Sequence, residues 1–163
     1  MILVGVGSNL SVPGVGGSRD VVAAAVRALA GEGVAVMAVS PWYRSAPVPM
    51  SDQPWYVNGV VRVETDLDAP ALLAVLHRVE TAFGRVRRQV NEARGLDLDL
   101  LAYHDHVRAE APVLPHPRLH QRAFVLLPLR DLAPGWRHPV TGMDVASLVA
   151  GLPPGQVTER IDD

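Results

Sequence analysis

Residues 95–103 read "GLDLDLLAY". From Leu96 to Leu100 apolar and acidic residues alternate with a period of two, which is the period of a β-strand. Asp97 and Asp99 therefore share one strand face, and Leu96, Leu98 and Leu100 share the other. At ~3.3 Å rise per residue the two aspartate Cα atoms stand roughly 6.5–7 Å apart. Carboxylates converging from there repel by about 2–3 kcal/mol at an effective dielectric near 20. A shared cation removes that cost. An oxygen-only pair suits Mg²⁺, which binds through one or two carboxylates plus substrate phosphates. For the pair alone, a solvated edge-strand face is the competing explanation.

The residues just before the strand bear on that choice. Arg85, Arg87, Arg88 and Arg94 fall within ten positions. Guanidinium forks are good phosphate ligands, and a metal–triphosphate complex needs such positioning and charge stabilisation. A solvated arginine loop paired with nearby acids is the alternative. Upstream, His77 and Glu80 lie on one helix face at i, i+3, beside Gly84; by themselves they read as ordinary exposed residues. Downstream, His116 and His120 have i, i+4 spacing, but Pro117 makes His116 a helix-entry residue and no third zinc ligand is evident. "YHDH" at 103–106 reads as a turn.

The flanking segments extend the pattern. Ile2 to Val6 is a short apolar strand ending at Gly7-Ser8-Asn9. Its "GVGSNL" is a glycine fingerprint without the third glycine, and Gly14, Gly16 and Gly17 lack the context of a phosphate loop; both stretches read as turns. Ser18 is placed to cap a helix over 19–30, with Val22, Val26 and Leu29 inward and Gly31 at its end. Residues 34–43 form a second strand, the proline-rich stretch 44–55 a loop, and 56–64 a third strand. Asp68 caps a second helix that tolerates Pro70 in its first turn, buries Leu72, Leu76, Val79 and Phe83, and stops at Gly84. Pro117 opens a helical segment that includes 124–127, and a last helix covers 143–150. The order βαββαβ predicts an α+β fold with a ferredoxin-like core: an antiparallel sheet with helices packed on one face. The whole chain, 1–163, reads as one domain.

Composition removes several chemistries. All 15 basic side chains are arginine, so neither a Walker lysine nor a Schiff-base amine is available. The absence of cysteine excludes disulfides, thiolate nucleophiles and thiolate metal sites. A net charge of −2 sets up no basic field for nucleic acid. No apolar run is long enough for a transmembrane helix, and the first residues show no signal-peptide pattern; a cytoplasmic protein is expected. Tyr56, Phe124 and Trp55 are candidates for stacking on a planar ligand.

Three stretches carry a resemblance over nearly the whole chain: "YRSAPVPMSDQPWYVNGVVRVET", "GRVR…RGLDLDLL" and "LPHPRLHQRAFVLLPLRDLAP". In this order and spacing they resemble the 6-hydroxymethyl-7,8-dihydropterin pyrophosphokinases (HPPK) of folate biosynthesis. The resemblance implies a ferredoxin-like α/β fold and transfer of pyrophosphate from ATP to the pterin hydroxymethyl group, giving AMP. It implies that Asp97 and Asp99 hold two Mg²⁺ ions together with ATP. Tyr56 and Phe124 look like the rings that sandwich the pterin. Asn58 looks like the side chain that reads its edge, with backbone at Ser45, Ala46 and Val48. His77, Glu80, Arg85, Arg87, Arg94, Leu100, His116 and Arg122 match positions on ATP, and Arg85 and Arg94 would also stabilise charge during the reaction.

The match has departures. Val90 stands where the family commonly has arginine, in a loop that closes over ATP. Gly95 stands where threonine is common, Ser45-Ala46 where a Thr-Pro pair is frequent, and His77 where glutamine is frequent. Val90 and Gly95 support one rival, a pterin- or nucleotide-binding member without turnover. ATP and the dihydropterin alcohol are the expected partners; neither nucleic acid nor membrane is expected, and protein partners are unknown.

Overall fold

The computed structural model describes residues 1–47, 49–84 and 95–162. Val48, Arg85, Arg87, Arg88, Val90 and Arg94, all singled out above, lie outside the described residues.

The strands are β1 (Ile2–Ser8), β2 (Ala35–Val39), β3 (Tyr43–Ser45), β4 (Tyr56–Glu64), β5 (Asp97–Tyr103) and β6 (Thr158–Arg160). The helices are α1 (Ser18–Gly31), α2 (Ala69–Ala82), α3 (Ala123–Leu132) and α4 (Val145–Ala150), with a 3-10 turn at Leu119–Gln121. The sheet runs β5-β1-β4-β3-β6, and β2 also pairs with β4. All of these pairings are antiparallel. The expected βαββαβ core is present, with β6 as an added strand.

Several expectations need correction. Residues 34–43 form two strands, not one: β2 pairs with 61–64 and β3 with 56–58. Pro41, which has no N–H to give a ladder, lies between them. Ser40 takes over there: its N donates to Val60 O (2.9 Å) and its Oγ accepts from Val60 N (2.9 Å). "GVGS" is strand, since β1 continues to Ser8. Gly17, not Ser18, is the cap residue of α1, and Asp20 Oδ2 accepts from Gly17 N (3.3 Å). Asp68 does cap α2, accepting from Ala71 N (2.9 Å). The segment after Pro117 divides at Arg122, whose extended backbone (φ −114°, ψ 111°) separates the 3-10 turn from α3.

Helices cover both faces of the sheet, not one. Val4, Val6, Leu98 and Leu100 pack with α1 and α2 through Leu29, Leu72 and Leu76. Leu3, Val60 and Leu101 pack with α3 and α4 through Leu126, Leu129 and Val145. β1, β4 and β5 thus send residues into two separate cores, which explains why β1 and β4 are apolar at most positions. The β1–β5 pairing slips by one residue, from Leu3↔Ala102 to Val4↔Leu100, leaving Leu101 as a bulge. Asp97 and Asp99 stand on the α3/α4 face, beyond the part of it that those helices cover.

Candidate active site

Three adjacent strands build the floor of the site. Gly7 pairs with Asp97 on one side and Asn58 on the other; Gly5 pairs with Asp99. Residues paired across an antiparallel sheet point to the same face, so Asp97, Asp99 and Asn58 line up over two glycines. Tyr56 follows on that face of β4, opposite Ser45 of β3. A Cβ on Gly7 would stand 2.8 Å from Asn58 Nδ2. Gly7 is therefore the residue that lets the Asn58 carboxamide lie over β1. Ser45 Oγ donates to Asn58 Oδ1 (2.6 Å) and turns that amide to one orientation.

The roof comes from residues 116–124. His116 N donates to Leu101 O (2.8 Å), which ties this segment to β5 beyond the aspartates. The His116 ring accepts from Arg118 N at Nδ1 (3.2 Å), so the neutral ring carries its proton on Nε2. Burial, and then the positive Arg122 nearby, push its pKa down to about 4; Asp97 opposes this and Arg118 adds to it. Arg122 Nη1 lies 3.8 Å from Asp99 Oδ2, with the two side chains 25% and 31% exposed. The same guanidinium covers the Phe124 ring at 5.3 Å. One arginine thus joins the carboxylate row to the aromatic ring.

Two separate cavities flank this Arg122–Asp99 contact. A cleft of about 260 Å³ is lined by His77, Asp97, Asp99, Leu100 and His116. A larger one, about 510 Å³, is lined by Ala46, Pro47, Arg122, Phe124 and Gln156 among others. Most described residues expected on ATP fall in the first, while Ala46 and Phe124, expected on the pterin, fall in the second. Arg122, expected on ATP, lines the second and reaches Asp99 in the first. Ser45, Tyr56 and Asn58 line neither cavity.

Glu80 departs from the reading of His77 and Glu80 as a shared exposed face. His77 is exposed, but Glu80 is 1% exposed. Its Oε2 accepts from Leu98 N (2.8 Å), the backbone amide between the two aspartates. The signal was available: Glu80 is the next step in the i, i+4 series Leu72, Leu76 and so belongs to the buried stripe. Trp55 packs under Arg44 (5.5 Å). His120 faces His138 (6.3 Å between ring centroids), while His116 Nδ1 is engaged with Arg118, so the two histidines do not converge on an ion. The "YHDH" rings contact one another around Tyr103. Gly95 has a local cause: a Cβ there would stand 2.8 Å from Val12 Cγ2 and 3.3 Å from Phe83 O, so a threonine would require these neighbours to shift.

Among the described residues no group of three His, Cys, Asp or Glu could hold a metal by itself. The half-buried pair Asp97 and Asp99 offers only oxygen donors, and β1 contributes no side chain over them. This donor set fits a hard cation that takes its other ligands from water and substrate phosphate.

Residues 3–134 match the family model for 7,8-dihydro-6-hydroxymethylpterin-pyrophosphokinase (HPPK). The chain belongs to the HPPK family. It is 38% identical to the 2-amino-4-hydroxy-6-hydroxymethyldihydropteridine pyrophosphokinase of Methylorubrum extorquens, over 98% of this chain and 97% of that protein. It is 35% identical to the folic acid synthesis protein fol1 of Pneumocystis carinii, over 90% of this chain but only 19% of that protein. The HPPK fold is also seen in the Plasmodium falciparum HPPK-DHPS crystal structure, with a TM-score of 0.69 at 13% identity, covering 91% of this chain and 43% of that one. The chain thus spans a small part of some relatives and nearly all of others.

Proposed function

We infer that this HPPK chain transfers pyrophosphate from ATP to the hydroxymethyl group of 6-hydroxymethyl-7,8-dihydropterin. The pterin oxygen forms a bond to the β-phosphorus, the bond from that phosphorus to the α-phosphate oxygen breaks, and AMP leaves. The hydroxyl proton is released. The observation that supports this reading best is Arg122, which lines one cavity beside Phe124 and reaches Asp99 in the lining of the other.

Asp97 and Asp99 would hold the Mg²⁺ ions, which when bound supply charge neutralisation and Lewis acidity at the phosphates. The neutral His116 offers Nε2–H to a phosphate oxygen. Arg122 places positive charge where the two substrates meet, and stacks on the Phe124 ring that would cover one face of the pterin. Asn58, held by Ser45 over Gly7, presents its amide to the pterin edge, with Tyr56 beside it on β4. Glu80, assigned to ATP on resemblance, also holds the Leu98 amide and with it the spacing of the aspartates. Arg85, Arg87, Arg94 and the backbone of Val48 are assigned to ATP and pterin on resemblance alone, as are Arg85 and Arg94 to charge stabilisation during transfer. No helix of the described residues is long and apolar enough to cross a membrane, and a cytoplasmic location is part of this reading.

One assay tests the proposal: ATP, Mg²⁺ and the dihydropterin alcohol, scored for AMP. AMP formed only with all three supports transfer. Tight binding of both substrates without AMP would instead establish the non-catalytic rival, and free phosphate would show a hydrolase.

A further inference from the structure

Arg122 owes its placement to a residue far along the chain. Arg122 is the N-cap of α3, yet its side chain makes no capping bond. The first amides of a helix need acceptors from outside it. Gln156 supplies one: its Oε1 accepts from Ala123 N (2.9 Å). Its Nε2 donates to Gln121 O (2.8 Å). Only this orientation of the carboxamide satisfies both partners. Gln121 O belongs to the peptide group before Arg122 and Ala123 N to the one after it, so one side chain grips both peptide planes around a single Cα. Those planes set φ and ψ of Arg122 and hence the direction of its side chain. Gln156 is itself anchored, because the next carbonyl, Val157 O, accepts from Ala46 N (3.0 Å) and β6 then pairs with β3. It lines the larger cavity with Arg122 and Phe124, and lies beyond residues 3–134 that match the family model.

We propose that Gln156 is a positioning residue of the active site: its carboxamide clamps the backbone on both sides of Arg122 and so aims Arg122 at Asp99 and across Phe124. This rests on the pyrophosphate-transfer reading for its effect on turnover, but not for its effect on Arg122.

The test is a double-mutant cycle of Gln156→Met, which keeps volume and loses both bonds, with Arg122→Ala. Gln156→Met should lower kcat/KM for AMP formation by about tenfold or more in the wild-type background. With Arg122 already removed the same change should cost less than about twofold, because residues acting through one another are not additive. Equal losses in both backgrounds overturn the proposal. If Gln156→Met does not fold, Gln156→Glu, which keeps the acceptor and loses the donor, replaces it in the cycle. Independently of activity, the NMR order parameter of the Arg122 Nε–H should fall in the Gln156 variant; an unchanged value overturns the proposal. Absence of AMP with the wild-type chain would count against the transfer reading, and the order parameter would still decide the role of Gln156.

Discussion

Asp97 and Asp99 stand out from sequence because a carboxylate repeated at period two in a leucine run has few explanations. Replacing either by asparagine relieves the mutual repulsion, so thermal stability should stay near wild type. Loss of a Lewis-acid site worth several kcal/mol should lower AMP production by about a thousandfold or more; near-normal turnover in either variant would sink the metal assignment. His116 makes a second prediction. Its pKa lies at about 4 in the fold, below the ordinary value of 6.5. Between those values the unfolded chain binds more protons, so this histidine's contribution is complete above pH ~6.5, declines as the pH falls, and is gone below ~4. The loss is at most about 3 kcal/mol at 1.36 kcal/mol per unit, reduced by solvent screening at this half-buried ring. Urea titrations of the metal-free protein should show it as a slope that His116→Gln lacks; parallel curves for the two proteins would refute it. The role of Gly7 was hidden, because it depends on which side chain fifty residues away leans over it. Gly7→Ala should displace the Asn58 amide and weaken pterin binding by about tenfold or more, the scale of one or two lost hydrogen bonds. Binding of an ATP analogue should change little, and an equal loss for both ligands would argue against the assignment of Asn58.

Among the elements, α2 and β5 are coupled more closely than their packing alone requires. Glu80 reaches from the helix to the Leu98 amide inside the strand, so the helix sets the height of the aspartate row. Glu80→Ala leaves that buried N–H unsatisfied and should lower stability by about 1–3 kcal/mol, measured by urea unfolding. Glu80→Gln keeps an acceptor and should recover most of it. No difference between the two variants would mean that the bond carries no weight. Strongly periodic elements were legible: β1, β4, α1, α2 and β5 are found within a few residues of expectation. Misses occurred where one residue's hydrogen bonds override periodicity. Pro41 splits a strand, the extended Arg122 splits a helical segment, and β6 is three residues of mixed polarity that form a strand only because β3 offers an open edge.

On the scale of the whole molecule, the ferredoxin-like core was readable from the order of elements, but the second helical layer was not. A helix facing the opposite side of a sheet has the same amphipathic pattern as one on the near side, so periodicity alone does not tell α3 and α4 from α1 and α2. The contact of Arg122 with Asp99 depends on this layering, since α3 reaches the carboxylate row only from the second face. The bulge at Leu101 has an evolutionary consequence. Ahead of it β5 presents aspartates to the site; behind it Leu101 and Ala102 both serve the α3/α4 core, and Tyr103 returns to the other. The strand therefore has a joint at which its length can change without inverting its chemistry. Deleting Leu101 should heal the bulge and leave Asp97 and Asp99 in register, at the cost of a core leucine, about 2–5 kcal/mol. Deleting Leu98 should turn Asp97 toward the apolar cluster and abolish folding. If circular dichroism and ATP-analogue binding show the two deletions to be equally harmful, the bulge confers no such tolerance; if only the first survives, insertions and deletions in related chains should collect at this joint and avoid the strand ahead of it.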